Sequence, residues 1–329
     1  MKQRISPRAR GIICVVLASM CYGITPILSN TALKGGLPAD FLTRVLGSAP
    51  AYAVLDPSRA MANESVVGFG MLIACIISGL TCLIGRRSLR VTGKQLLHMA
   101  AFGGGGFSAT MLLISYAYLC IPAGMTIVLN FTYPVMVAVI SALIFREKLR
   151  PVSFIALALA LTGIALISGL GVSGSAALGS DPGLGIPLAL LSGLAYAVYF
   201  LAGKHASYSG LDTSVANFYI TGSAAVILFT IAALSGRFQL PPNAFIWLVL
   251  LSNGVLGLMI ALRLLLTGIR LLGSVTASAL NTLEPVFASL TSVIVFAEAM
   301  TWVKILGCAL VLTGALISIL AAGKAPAAD

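Results

Sequence analysis

Ten long stretches of the chain are almost unbroken in apolar residues: 11–33, 66–84, 95–119, 122–145, 151–170, 184–204, 214–234, 244–269, 274–296 and 302–322. Each is close to the ~20 residues that a helix needs to cross a bilayer. Charged residues gather in short clusters between them. A backbone surrounded by lipid must satisfy its own hydrogen bonds, so these stretches predict an all-α polytopic membrane protein with ten transmembrane helices. The third stretch is interrupted by Gly103-Gly104-Gly105-Gly106. With no polar neighbour on either side, the four glycines point to close helix contact or local unwinding rather than to a loop. The first stretch follows Lys2, Arg4, Arg8 and Arg10. It is too long for the apolar core of a signal peptide and has no small-residue cleavage site, so it is expected to remain as the first helix.

Composition agrees with the pattern. Hydrophobic residues make up 59% of the chain and charged ones 9%, with a mean hydropathy of +1.05. A soluble domain is nearer one quarter charged. The net charge of +11 does not call for nucleic acid, because the cations sit at the ends of the apolar stretches. With the N-terminus in the cytoplasm, the inner segments hold Lys2, Arg4, Arg8, Arg10, Arg86, Arg87, Arg90, Lys94, Arg146, Lys148, Arg150, Lys204, Arg270 and Lys324. The outer segments then hold only Lys34, Arg44, Arg59, Arg237 and Lys304. That bias predicts that both termini are cytoplasmic. The six cysteines form no Cys-x-x-Cys pair, and His98 and His205 are the two histidines. Neither a disulfide framework, a metal site nor a cofactor is expected, and no nucleophile–base pair suggests an enzyme.

The chain also repeats itself. Asn130, Pro134, Phe145, Glu147 and Thr162-Gly163 recur as Asn281, Pro285, Phe296, Glu298 and Thr313-Gly314, at a constant offset of 151 (281 minus 130). Gly11, Tyr22 and Gly36-Leu37 recur as Gly185, Tyr196 and Gly210-Leu211 at an offset of 174 (196 minus 22). The two offsets differ by the excess length of the loop 34–65, whose segment 41–46 predicts a short interfacial helix. The expected organisation is a first repeat over 11–170 carrying that inserted loop, and a second over 184–322. Five helices is an odd number, so the second half enters from the other side and the repeats are inverted. Many secondary transporters are built this way, with their sites where the repeats meet.

The candidate chemistry lies in the repeated Asn-x-x-x-Pro segments, 130–134 and 281–285. Proline has no N–H, so Pro134 frees the carbonyl of Asn130 and Pro285 frees that of Asn281. Each helix therefore brings a free carbonyl and a carboxamide together at an expected kink. In lipid these groups need protein, water or ligand, and their symmetric placement points to a shared polar cavity. Glu284 stands where the first repeat has Tyr133. A carboxylate within a span marks a functional site by default. Two roles stay open for it: exchanging protons or pairing with a substrate cation, or a fixed ion pair with Arg263 of the eighth helix. A free Arg263 would instead attract a substrate carboxylate. Tyr22, Thr25 and Pro26 of the first helix, Tyr196 and Tyr199 of the sixth, and Tyr116 and Tyr118 of the third are candidates to line the cavity. Repeat symmetry favours Tyr22 and Tyr196, and Pro26 adds a third expected kink.

Leu283-Glu284-Pro285-Val286-Phe287-Ala288, Phe296-Ala297-Glu298 and Leu312-Thr313-Gly314 resemble the carboxy-terminal EamA repeat of the drug/metabolite transporter superfamily. Asn130 to Pro134, Phe145-Arg146-Glu147-Lys148-Leu149 and Leu161-Thr162-Gly163 resemble its amino-terminal repeat. The resemblance implies a ten-helix bacterial-type inner-membrane protein with a central cavity, often an exporter of amino acids or other metabolites. The family's second helix often opens with an arginine; Gly68-Phe69-Gly70 stands there instead. The expectation is a secondary transporter of small metabolites working by alternating access, with protons as a candidate coupling ion, as a monomer or homodimer in the lipid bilayer. A channel or a lipid or drug flippase is the alternative.

Overall fold

The computed structural model describes residues 6–147, 151–169, 180–296 and 299–322. Lys2, Arg4, Lys148, Arg150, Glu298 and Lys324 lie outside these residues. The elements are helical: α1 (Pro7–Lys34), α2 (Asn63–Ile84), α3 (Gly93–Cys120), α4 (Ala123–Leu143), α5 (Pro151–Ile167), α6 (Pro182–His205), α7 (Thr213–Leu234), α8 (Ala244–Leu272), α9 (Ser274–Val295) and α10 (Trp302–Leu320). Nine of these, among the described residues, are long and apolar enough to cross a membrane, and α5 is a shorter apolar tenth. The chain is a multi-pass membrane protein.

Side chains placed for the purpose start the helices. Ser6, Thr92, Asp181, Asp212 and Asn243 each accept a hydrogen bond from a backbone N–H in the first turn of α1, α3, α6, α7 and α8. These bonds satisfy donors that the helix itself leaves open. Helix α1 stops at Gly35, whose φ of 79° is the left-handed conformation that glycine adopts without strain.

The packing partners are ordered. The most extensive interfaces are α5 with α10, α2 with α7, α3 with α6, and α1 with α8. This is the pattern that a twofold relation between the halves would give: the first two pairs would map onto themselves and the last two would exchange. Small residues permit close approach. A Cβ at Gly163 would stand 2.5 Å from the Gly307 carbonyl oxygen, and one at Gly314 would stand 2.6 Å from that of Ala156. These two contacts are equivalent under the 151-residue offset.

The four glycines do not unwind α3. Residues Met99–Gly105 form a π-helical segment continuous with the helices on either side. Gly104 sits against α7, where a Cβ would collide with Ser223 Oγ. Helix α8 has a matching π segment, Gly254–Ala261. There Gly254 sits against α2, and its Cβ would lie 2.9 Å from the Gly70 carbonyl oxygen. The wider π turn shifts the register, and such segments occur often at functional sites.

Both described ends lie on one face, the terminal face, where Arg8 of α1 donates to the Ile319 carbonyl of α10. The inserted loop covers the opposite face. Its short helix runs Ala39–Leu46, and Leu37 bridges to Val54. Arg44 donates to the Val295 carbonyl at 3.2 Å and Asn243 to that of Tyr52 at 3.4 Å, which ties the loop to α9 and α8. The loop ends earlier than its composition suggests: Glu64 already belongs to α2, is buried, and meets Arg237 at 3.4 Å.

On the terminal face Arg87 pairs with Asp212. Partial burial works against the Asp212 carboxylate, but hydrogen bonds from Arg87 and Ser214 and the Arg87 charge outweigh it and hold the carboxyl below its usual range. A depressed carboxyl stabilises the fold above the unfolded aspartate pKa of about 4, and that contribution disappears as pH falls through the folded value. The pair is partly solvated, so the effect is small. Asp212→Asn is expected to lower the melting temperature by a few degrees at most at pH 7. The difference from wild type should close as the pH drops below about 4; a gap that widens in acid would contradict the sign.

Candidate functional site

Helices α4 and α9 both break near the middle of their spans. The regular helix stops at Asn130 and resumes at Tyr133 in α4; it stops at Asn281 and resumes at Glu284 in α9. The proline explains the position in each case, because Pro134 and Pro285 stand second in the resumed helix, where no N–H is needed. In the gaps, Thr132 and Thr282 hydroxyls donate to the carbonyls of Leu129 and Ala279 at 2.7 and 2.6 Å. Pro26 behaves differently. Helix α1 runs unbroken through it, and the Thr25 hydroxyl donates at 2.9 Å to the Tyr22 carbonyl that Pro26 leaves free.

Each asparagine reaches into the opposite half. Asn130 is buried and its Nδ2 donates to Ser192 Oγ of α6 at 2.8 Å. Its freed carbonyl faces Gly193, where a Cβ would come within 2.8 Å of the oxygen. Asn281 is fully buried and accepts a hydrogen bond from Ser19 of α1 at 3.2 Å. Its Nδ2 donates to the Tyr133 hydroxyl at 3.1 Å and to Glu284 Oε2 at 3.3 Å. Tyr133 passes the chain on by donating to the Ser278 carbonyl at 3.4 Å. One network thus joins α1, α4 and α9 around the two breaks.

Aromatic rings enclose it. The Tyr133 ring lies 4.6 Å from Tyr196 and 5.2 Å from Phe200 of α6, centroid to centroid. Tyr22, Tyr133 and Tyr196 are buried, whereas Glu284 is only half-buried. Glu284 lies within electrostatic reach of Tyr22, Tyr118, Tyr133 and Tyr196, on four different helices. The Tyr22 hydroxyl has no hydrogen-bond partner among the described residues. A partly accessible carboxylate beside an unsatisfied phenol offers a cation or an amine both an acceptor and a counter-charge.

The structure therefore brings together Asn130, Tyr133, Asn281, Glu284, Tyr22 and Tyr196. It does not join Arg263 to Glu284: among the described residues no ion pair links them. Arg263 follows the π segment of α8 on a different face, within electrostatic reach of Cys82 in α2. Tyr116 and Tyr118 are both exposed on α3. Two functional partners escaped the sequence reading, Ser19 and Ser192. Their signal was their spacing, one turn before Tyr22 and Tyr196.

A membrane bundle with paired broken helices around a buried polar network has the architecture of a membrane transporter. The EamA-like transporter family model matches residues 45–169 and 183–320. The chain belongs to the EamA-like transporter family. It is 22% identical over 266 residues to an uncharacterized transporter of Clostridium kluyveri, covering 80% of this chain and 84% of that one. It is 29% identical over 211 residues to the threonine/homoserine exporter RhtA of Salmonella typhimurium, covering 63% of this chain and 65% of RhtA. A solved crystal structure shares the fold, with a TM-score of 0.75 at 17% identity, over 94% of this chain and 98% of that one.

Proposed function

We propose that this protein is a secondary transporter that exports amino acids or closely related small metabolites by alternating access across a bacterial cytoplasmic membrane. Both termini face the cytoplasm in this reading, which the Lys and Arg bias supports. The observation that carries it is the Asn281–Tyr133–Glu284 network at the two helix breaks. The hydrogen-bond partners of both asparagines cross between the halves, so rocking one half against the other remakes the site. Helices α4 and α9 bend at Pro134 and Pro285. Glu284 pairs with the substrate's ammonium group or exchanges the coupling proton. The amino-acid class rests on this chemistry and on the name of the Salmonella relative.

The test is counterflow in proteoliposomes with a panel of radiolabelled amino acids, L-threonine and L-homoserine among them. The expected result is saturable accumulation driven by unlabelled substrate inside. Ohmic current without counterflow would identify a channel, and lipid scrambling without amino-acid counterflow a flippase.

A further inference from the structure

A second polar cluster lies nearer the terminal face, between α6, α8 and the turn 206–212. Arg270 of α8 clamps that turn, donating through Nη1 to the Leu211 carbonyl and through Nη2 to that of Tyr208 at 3.1 Å. Its Nε–H is buried without a partner among the described residues. So are the hydroxyls of Tyr199 and Tyr208, two side chains with no exposed surface. Arg270, Tyr199 and Tyr208 are in electrostatic reach of one another. The acid within reach, Asp212, is already held by Arg87 and Ser214, and no ion pair to Arg270 occurs among the described residues.

Buried polar groups are nearly always hydrogen-bonded, and a buried cation normally has a counter-ion. Three donors at this partly buried guanidinium and its two neighbouring phenols therefore lack an acceptor among the described residues. A planar carboxylate suits them: its two oxygens have lone pairs enough for an Nε–H and two phenol O–H groups, and guanidinium geometry favours it. We propose that Arg270, Tyr199 and Tyr208 form a carboxylate subsite on the terminal side of the central network. The Tyr199 ring stacks on Tyr196 at a centroid distance of 6.0 Å, and the unpartnered Tyr22 hydroxyl lies within reach of both Tyr199 and Glu284. The subsite therefore continues into the central one. A zwitterion moving along this line meets Arg270 with its carboxylate and Glu284 with its ammonium. That part of the inference rests on the amino-acid reading above.

Equilibrium binding of radiolabelled acetate to the purified full-length protein tests it. Acetate is expected to bind saturably, with acetamide and chloride failing to displace it. Arg270→Gln should abolish binding. Tyr199→Phe and Tyr208→Phe retain the rings, and each should weaken it by about 5- to 10-fold. Displacement by chloride as readily as by acetate, or wild-type binding in both Tyr→Phe variants, overturns the proposal. L-threonine should displace acetate while L-threonine amide does not, which identifies the substrate's carboxylate as the occupant. If acetate binds as expected and threonine fails to compete, the carboxylate subsite stands and the amino-acid reading falls.

Discussion

Replacing Glu284 by glutamine is expected to slow transport by about 10- to 150-fold, the equivalent of losing one charge-assisted contact worth ~1.5–3 kcal/mol. The substitution is close to isosteric. Asn281 Nδ2 still finds an oxygen to donate to at the position it now reaches at 3.3 Å, so the fold should persist. What disappears is the negative charge within electrostatic reach of Tyr22, Tyr133 and Tyr196. A carboxylate that binds an ammonium group or a proton makes the rate depend on pH. The wild-type rate should therefore depend on pH, and the Gln variant should be slow and nearly flat. Initial rates in proteoliposomes at matched internal and external pH measure both quantities. A variant that keeps the wild-type rate and profile removes Glu284 from the transport step.

Asn281→Ala is expected to destabilise the bundle by about 2–4 kcal/mol, since it strips hydrogen-bond partners from Ser19, Tyr133 and Glu284 together. Glu284 suffers most, because a half-buried carboxylate then has no donor within the network. The loss should appear as a lower melting temperature in detergent and as early aggregation. Tyr133→Phe alone should cost less, about 1 kcal/mol. The double variant should fall short of the sum, because both substitutions break the same bond. Strict additivity would place the two residues in separate networks.

Much of this was legible in the sequence, and for physical reasons. Lipid forces apolar stretches into helices, so the spans could be read directly. Proline removes an N–H from such a helix, and the breaks at Asn130–Tyr133 and Asn281–Glu284 fall where Pro134 and Pro285 stand, although α1 stays unbroken at Pro26. Ser19 and Ser192 were harder to find. A serine in a membrane helix commonly satisfies itself on its own backbone. Both do so, donating to Val15 and Ala189 while also serving the asparagines. Arg263 is one candidate partner for Glu284 in the sequence because both are charges within spans. Which faces of α8 and α9 meet is decided by packing around Leu262, Leu265, Leu266 and Ile269, and hydrophobic pattern alone does not encode it. The glycines of α3 signalled close contact, but a change of helical pitch leaves no mark in composition.

The crossed partnership of the two asparagines also bears on how the protein is made. Helices enter the bilayer in order from the ribosome. Asn130 and Tyr133 are inserted with α4, but Ser192 arrives with α6 and Asn281 with α9. Early in synthesis the first half therefore holds a carboxamide and a phenol in the membrane without their final partners. The polar network at the two breaks is therefore complete only once α9 has been inserted.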